Sequence, residues 1–195
     1  LFRFTGACMN APNYCIVTES CSKGSLEDIL DNEKIELDST MKYSLLHDLV
    51  KKDQRLRNLI IGYVLHSQLG DCVADSRFVL KVTDFGLSTL HAMEERGIKA
   101  EGEFVYYKRQ LWTSPELLRD TNRTPAGTQK GDIYSFVVIL HEMMYRNCAF
   151  WCEDELGPAE IVENVRRKPL ESEDIFRPYC PANEGLMDPQ IVEMV

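Results

Sequence analysis

Asp84 closes the apolar run Phe78-Val79-Leu80-Lys81-Val82-Thr83 and stands before Phe85-Gly86. A carboxylate at a strand end before glycine can reach a Mg²⁺ ion carried on nucleotide phosphates. Read locally, the same carboxylate caps the backbone of its own turn, and the residues alone leave both readings open. His66 has an unperturbed pKa suited to a base, although a lone histidine beside an apolar run is more often structural. Cys148 and Cys152 form a C-x₃-C pair with no nearby histidine or second cysteine pair. Structural zinc needs four ligands, so that pair is not read as a zinc site. Seven cysteines in all is an odd number without a disulfide framework, which fits reduced thiols.

The elements that must position these residues follow from patterning. Tyr14-Cys15-Ile16-Val17-Thr18 is β-branched and apolar and predicts a buried strand. A turn cluster at Asn10-Ala11-Pro12-Asn13 separates it from a looser strand over Leu1 to Ala7. Ser25 followed by Asp28 predicts an N-cap and a short helix through Leu30. Met41, Leu45, Leu46, Leu49 and Val50 fall at helical spacing. The polar run from Lys51 to Asn58 then predicts that the pattern breaks, before the apolar run Leu59 to Leu65. Residues 87–112 read as a long polar loop. Pro115 opens a short helix, and Asp132 to Met144 is apolar on nearly all sides, which predicts a central helix. Pro158 to Val165 is amphipathic, and Asp188-Pro189 opens a last helix.

At 195 residues and 44% hydrophobic content the chain can build a core of its own. The opening Leu1-Phe2-Arg3-Phe4, with no Met and no signal-peptide layout, reads as an internal piece of a longer protein. No run of 18 apolar residues occurs, so no membrane helix is expected. A net charge of −9 argues against nucleic acid as a partner.

The ordered set Asp84-Phe85-Gly86, Ser114-Pro115-Glu116 and Gly131-Asp132-Ile133-Tyr134-Ser135-Phe136 resembles the C-terminal lobe of the protein-kinase fold. A narrower likeness runs through Phe4-Thr5-Gly6-Ala7-Cys8, Asn13 to Glu19, Gly24 to Leu30, Leu111 to Leu118 and Phe176-Arg177-Pro178. Those segments are similar to the kinase homology domain of receptor guanylate cyclases of the natriuretic-peptide-receptor kind. The resemblance covers nearly the whole chain, with a weak patch at residues 51–71. It implies an α+β, protein-kinase-like fold, incomplete at both ends. Residues 1–20 would supply the last two N-lobe strands and the start of the hinge, and residues 21–195 a mostly helical C-lobe.

In such receptors an extracellular ligand domain and one membrane span precede the kinase homology domain, and a dimerisation linker and a cyclase domain follow it. The cyclase makes cyclic GMP from GTP, so GTP would bind only in a domain outside this chain. The resemblance implies a regulatory pseudokinase on the cytoplasmic side of the plasma membrane. Its partners would be the adjoining cyclase domain and linker of a homodimeric receptor, with ATP and Mg²⁺ as possible ligands. Thr18 would be the gatekeeper, Glu19 and Cys21 would offer hinge backbone to adenine, and Ser20 removes an aromatic wall the family carries as Tyr. Asp84 would hold Mg²⁺, with Asp71 a weaker second ligand where kinases carry Asn. Phe85, Gly86, Glu116 and Asp132 would be structural.

Kinases also place an Asp base in a His-Arg-Asp-Leu-type loop. Here the corresponding position is His66 or Gln68, depending on register, and no carboxylate stands there. Glu116 would lack the late Arg it normally pairs with, a loss of about 3–5 kcal/mol if the carboxylate were fully buried. Val137 replaces a family Gly, predicting a crowded helix contact. No Gly-x-Gly-x-x-Gly loop, strand Lys in a Val-Ala-Ile-Lys context or matching helix Glu occurs. Two other functions are compatible with these residues: an active kinase using His66 or Asp71, and an inactive truncated product whose 51–71 segment reflects a splice or reading-frame error.

Overall fold

Ser25 accepts a hydrogen bond from the Asp28 amide while the Asp28 carboxylate accepts from the Ser25 amide at 2.7 Å. This reciprocal capping box starts helix α1, Leu26–Asp31. It is the local logic the sequence predicts, and it holds in a computed structural model that describes residues 3–59, 69–83, 102–120, 128–151, 155–168 and 175–179. The chain divides into two compact units. One contains residues 3–58 and 69–83, and the other contains the described residues from 102 onward.

In the first unit, β1 (Phe4–Cys8) and β2 (Cys15–Thr18) form an antiparallel hairpin. The prediction of a buried strand fails here: every residue of β2 is exposed. Its β-branched residues satisfy the strand's backbone preference, but among the described residues no layer covers the ribbon. Helix α2 runs from Ser39 to Leu59, so the expected break at Lys51 does not occur. Lys, Gln, Arg and Asp are tolerated along a helix without apolar periodicity, and no Gly or Pro interrupts the chain before Gly62.

A 3₁₀ turn at Leu69–Asp71 leads into β3 (Cys72–Ala74), which pairs antiparallel with β4 (Leu80–Val82). The strand predicted over Phe78–Val82 starts only at Leu80, because Phe78 turns left-handed with φ 59°. That conformation costs a non-glycine residue roughly 1–2 kcal/mol. The turn is held by Asp75, whose carboxylate accepts from the amides of Arg77 and Val79. Asp48 of α2 accepts from the Leu80 amide at 3.1 Å and ties helix to hairpin. Leu26, Ile29, Leu45, Cys72, Ala74 and Leu80 form the buried centre.

In the second unit, the predicted loop contains a short helix, α3 (Glu103–Lys108). Helix α4 (Pro115–Arg119) follows with Pro in its first turn. Helix α5 (Gln129–Tyr145) is the predicted central helix, capped by the Thr128 hydroxyl. Ten of its residues are buried, from Gly131 to Met144, as an all-round apolar helix requires. Helix α6 (Pro158–Arg166) buries Ile161, Val162 and Val165 on one face. Gly131 packs closely: a Cβ there would lie 2.7 Å from the Leu117 Cδ1 methyl, which would have to shift to make room.

Candidate functional site

In the first unit Thr18 ends β2, Glu19 and Cys21 lie in the linker beyond it, and Asp71 closes the 3₁₀ turn before β3. The register of β1 with β2 ends at Phe4 and Thr18, the Glu19 amide still donates across to the Arg3 carbonyl at 3.0 Å, and residues 20 and 21 lie beyond the strands. The linker beyond them is then pinned to β3. Lys23 donates its amide to the Ala74 carbonyl at 3.1 Å, Ala74 donates to Gly24 at 2.9 Å, and Ser25 bridges Val73. Gly24 makes that path possible with φ 77°.

Glu19 does more than lend backbone. Its carboxylate accepts from the Arg3 amide at 2.7 Å and from Lys81 Nζ at 2.7 Å. Lys81 Nζ also lies 3.5 Å from Asp75. The Lys81 hydrogen bond holds Glu19 below the usual carboxylate range, helped by the Arg3 amide. Glu19 in turn raises Lys81. The amides of Arg77 and Val79, opposed by burial, keep Asp75 low. Sequence reasoning missed Lys81 and Asp75. Their signal was available in hindsight as a lysine inside an apolar strand and an Asp opening a turn.

Asp71 sits at the other end of the same hairpin. Its carbonyl accepts from the Thr83 amide at 2.8 Å and from the Thr83 hydroxyl at 3.2 Å. That bond continues the Cys72–Val82 pairing by one step, and the next residue in the chain is Asp84. Asp84, Phe85, Gly86, His66 and Gln68 lie outside the described residues. Among the described residues, no cluster of three or more His, Cys, Asp or Glu could hold a metal ion.

A nucleotide with Mg²⁺ can be tested against this frame. Of the backbone groups near an adenine edge, the Glu19 amide is already given to the Arg3 carbonyl at 3.0 Å and the Cys21 carbonyl already accepts from the Gly24 amide at 3.3 Å. The Glu19 carbonyl and the backbone of Cys21 would meet the adenine end of such a ligand. The cation end would rest on Asp84.

Glu116 and Asp132 belong to the second unit. Glu116 lies half-buried in the first turn of α4 and borders a cavity of about 500 Å³ with Lys130, Tyr134 and Arg177. Half-burial removes most of the penalty expected of a fully buried carboxylate. Val137 borders the same cavity, so the crowding predicted from its replacement of Gly is absent on that side. Arg177 lies 5.4 Å above the Tyr134 ring, and burial pushes the Tyr134 phenol up to about 12. Asp132 is half-buried in the first turn of α5 and donates its amide to the Thr128 carbonyl. Its expected partner loop falls outside the described residues.

The residue that organises this unit was not singled out from sequence. Glu142 is 1% exposed, accepts from Trp112 Nε1 at 2.7 Å and from the Ala149 amide at 2.8 Å. Ser135 adds a bond to the Trp112 carbonyl at 2.7 Å. Together they fasten the segment before α4 to the central helix.

Comparison with known proteins places the chain. The family profile described as protein tyrosine and serine/threonine kinase matches residues 1–171. A receptor-type guanylate cyclase of Caenorhabditis elegans is 60% identical over 178 residues, 91% of this chain and 14% of that protein. Atrial natriuretic peptide receptor 2 of Anguilla japonica is 48% identical over 181 residues, 91% of this chain and 16% of the receptor. The same-named human receptor is 46% identical over 167 residues, 85% of this chain and 16% of its length. The chain therefore spans only about a sixth or less of these relatives. The kinase-like α+β architecture and the kinship with receptor guanylate cyclases expected from sequence both stand.

Proposed function

We propose that this chain, which belongs to the protein tyrosine and serine/threonine kinase family, is a regulatory segment that does not itself transfer phosphate. Its parent is a receptor guanylate cyclase that converts GTP to cyclic GMP in a separate domain. Identity of 46–60% to receptors of that kind over most of the chain supports the parent assignment. One observation carries the non-catalytic reading: Tyr63-Val64-Leu65-His66-Ser67-Gln68-Leu69-Gly70 contains no carboxylate. Without a base positioned at the acceptor hydroxyl, about 10²–10⁴-fold of rate is lost.

In this reading ATP with Mg²⁺ is the ligand. Backbone at Glu19 and Cys21 receives adenine, Thr18 bounds the pocket, and Asp84 holds the cation with Asp71 nearby. The bound cation would supply charge neutralisation on the phosphates, and the protein's own residues bind and orient. The Glu19–Lys81–Asp75 set keeps the hinge and the β3–β4 hairpin at fixed register, so occupancy at one end is felt at the other. The segment then acts on the cyclase and dimerisation linker on the cytoplasmic side of the plasma membrane.

Two measurements test this. A fluorescent ATP analogue should bind the chain in the presence of Mg²⁺ and bind more weakly to Asp84→Ala. In the parent receptor, ATP should change cyclic GMP output, and Asp84→Ala should remove that response. An ATP-independent output together with no analogue binding would overturn the nucleotide part of the proposal.

A further inference from the structure

Cys8 and Cys15 face each other across the β1–β2 hairpin. They are direct partners in its register, Cys8 ending β1 and Cys15 opening β2. Directly opposed residues of an antiparallel pair project to the same face of the sheet. The Cα atoms of such partners lie about 4.5–5.5 Å apart, whichever kind of rung they occupy. A disulfide spans Cα separations of about 4.4–6.8 Å, so the backbone already holds the required spacing. Only the Cβ atoms must close, from about 4.5–5.5 Å to about 3.8 Å.

The surroundings permit that adjustment. Both thiols are free, with Cys15 exposed and Cys8 partly so. Their rung is the last before the turn, where Asn13 donates its amide to the Asn10 carbonyl at 2.8 Å. Strand β2 is exposed along its whole length, so a small shift there disturbs no core.

Other cysteines among the described residues are placed differently. Cys72 is buried, and Cys148 belongs to the second unit. Cys21 stands six residues from Cys15 in sequence, against seven for Cys8. In space β2 carries the chain away from Cys15. Its three steps to Thr18 cover about 10 Å, and Cys21 lies further on, within electrostatic reach of Lys81. The fold therefore selects one pair where the sequence offers two.

The geometry points to Cys8 and Cys15 as a thiol-oxidation site, closed into a cross-strand disulfide by a small disulfide oxidant such as oxidised glutathione. Cys15, the more exposed, attacks one glutathione sulfur as its thiolate. The glutathione S–S bond breaks, one glutathione leaves as thiolate, and a mixed disulfide forms on Cys15. The Cys8 thiolate then attacks the Cys15 sulfur and expels the second glutathione. The two cysteine protons end on the two released glutathiones, and two electrons pass from the cysteine pair to the oxidant. Exposed disulfides are the readily reduced kind, so a reducing thiol pool reopens the site.

The test is differential alkylation with tandem mass spectrometry on the whole chain, equilibrated with oxidised and reduced glutathione. Cys8 and Cys15 should lose reactivity together, joined within one chain. Their disulfide should exceed a Cys15–Cys21 disulfide by about tenfold or more. In guanidinium chloride the two pairings should become about equal, because loop closure depends only weakly on such similar lengths. Cys8→Ser should trap glutathione on Cys15, and Cys15→Ser should leave Cys8 open to alkylation. The proposal is overturned if the pair stays reduced at every glutathione ratio, or if Cys15 of the unaltered chain keeps glutathione. Pairing with Cys21, pairing between two chains, or unchanged selectivity in denaturant would overturn it equally.

Discussion

The Glu142 cluster and the Glu19 cluster use the same chemistry, a carboxylate accepting two hydrogen bonds, in opposite surroundings. Glu142 is buried, accepts from Trp112 and Ala149, and closes a helix onto the segment before α4. Glu19 is partly exposed, accepts from Arg3 and Lys81, and holds the segment after β2 to the β3–β4 hairpin. In the buried case, losing the acceptor strands donors away from water, which is expensive. In the exposed case, water replaces the partner and screening weakens the pair. The first arrangement builds a core, whereas the second sets the register of the segment after β2 against the β3–β4 hairpin at small energetic cost.

Breaking the buried cluster should have the largest effect. Glu142→Leu leaves the Trp112 indole and the Ala149 amide without an acceptor, and should cost about 2–4 kcal/mol. A lower urea midpoint at unchanged slope would show it. Gly24→Ala should come next. Its φ of 77° disfavours a side chain, and the new Cβ would lie 2.5 Å from the Asp28 carboxylate that caps α1. A loss of about 1–2 kcal/mol is expected in the same denaturation series.

The pH response is smaller and has a definite sign. His141 is fully buried, its Nε2 lies 2.7 Å from the Tyr179 carbonyl, and burial lowers its pKa below the ordinary 6.5. With Nε2–H donating, Nδ1 is a buried acceptor with no hydrogen-bond partner among the described residues, and a proton added there would find no acceptor. The unfolded chain therefore takes up a proton near pH 6.5 that the folded chain refuses. Stability should be constant above that pH and should fall as pH drops below it. His141→Leu should flatten that part of a melting-temperature profile. The carboxylates Glu19, Asp28 and Asp75 are also lowered. Their contribution is present above about pH 4.5 and is lost at still lower pH, a separate window.

The smallest shift should come from Glu19→Gln, which keeps the shape and removes the charge facing Lys81. Its melting temperature should move less than that of any variant above, and the difference should vanish in high salt. A shift as large as that of Glu142→Leu would erase the distinction between the two clusters.

What the sequence disclosed follows the range of the interaction. The Ser25–Asp28 cap, Pro115 in the first turn of α4 and the all-apolar α5 are decided by neighbours a few residues apart, and all three are as expected. The exposure of β2 and the persistence of α2 past Lys51 were misread because apolar patterning was taken to decide both. A strand's composition reports its backbone preference, whereas its burial depends on what covers it. A helix without breakers needs no apolar stripe to continue. The pairings of Glu142 and Lys81 are not legible in sequence because their partners lie 30 and 62 residues away. The site residues Asp84, His66 and Gln68 remain readings of the sequence.

The most direct test of the central claim is phosphoryl transfer. The chain, incubated with radiolabelled ATP, Mg²⁺ and a mixed Ser, Thr and Tyr peptide substrate, should label neither the peptide nor itself above the uncatalysed background. Transfer well above background, abolished by His66→Ala or Asp71→Asn, would contradict the account and make the segment a kinase.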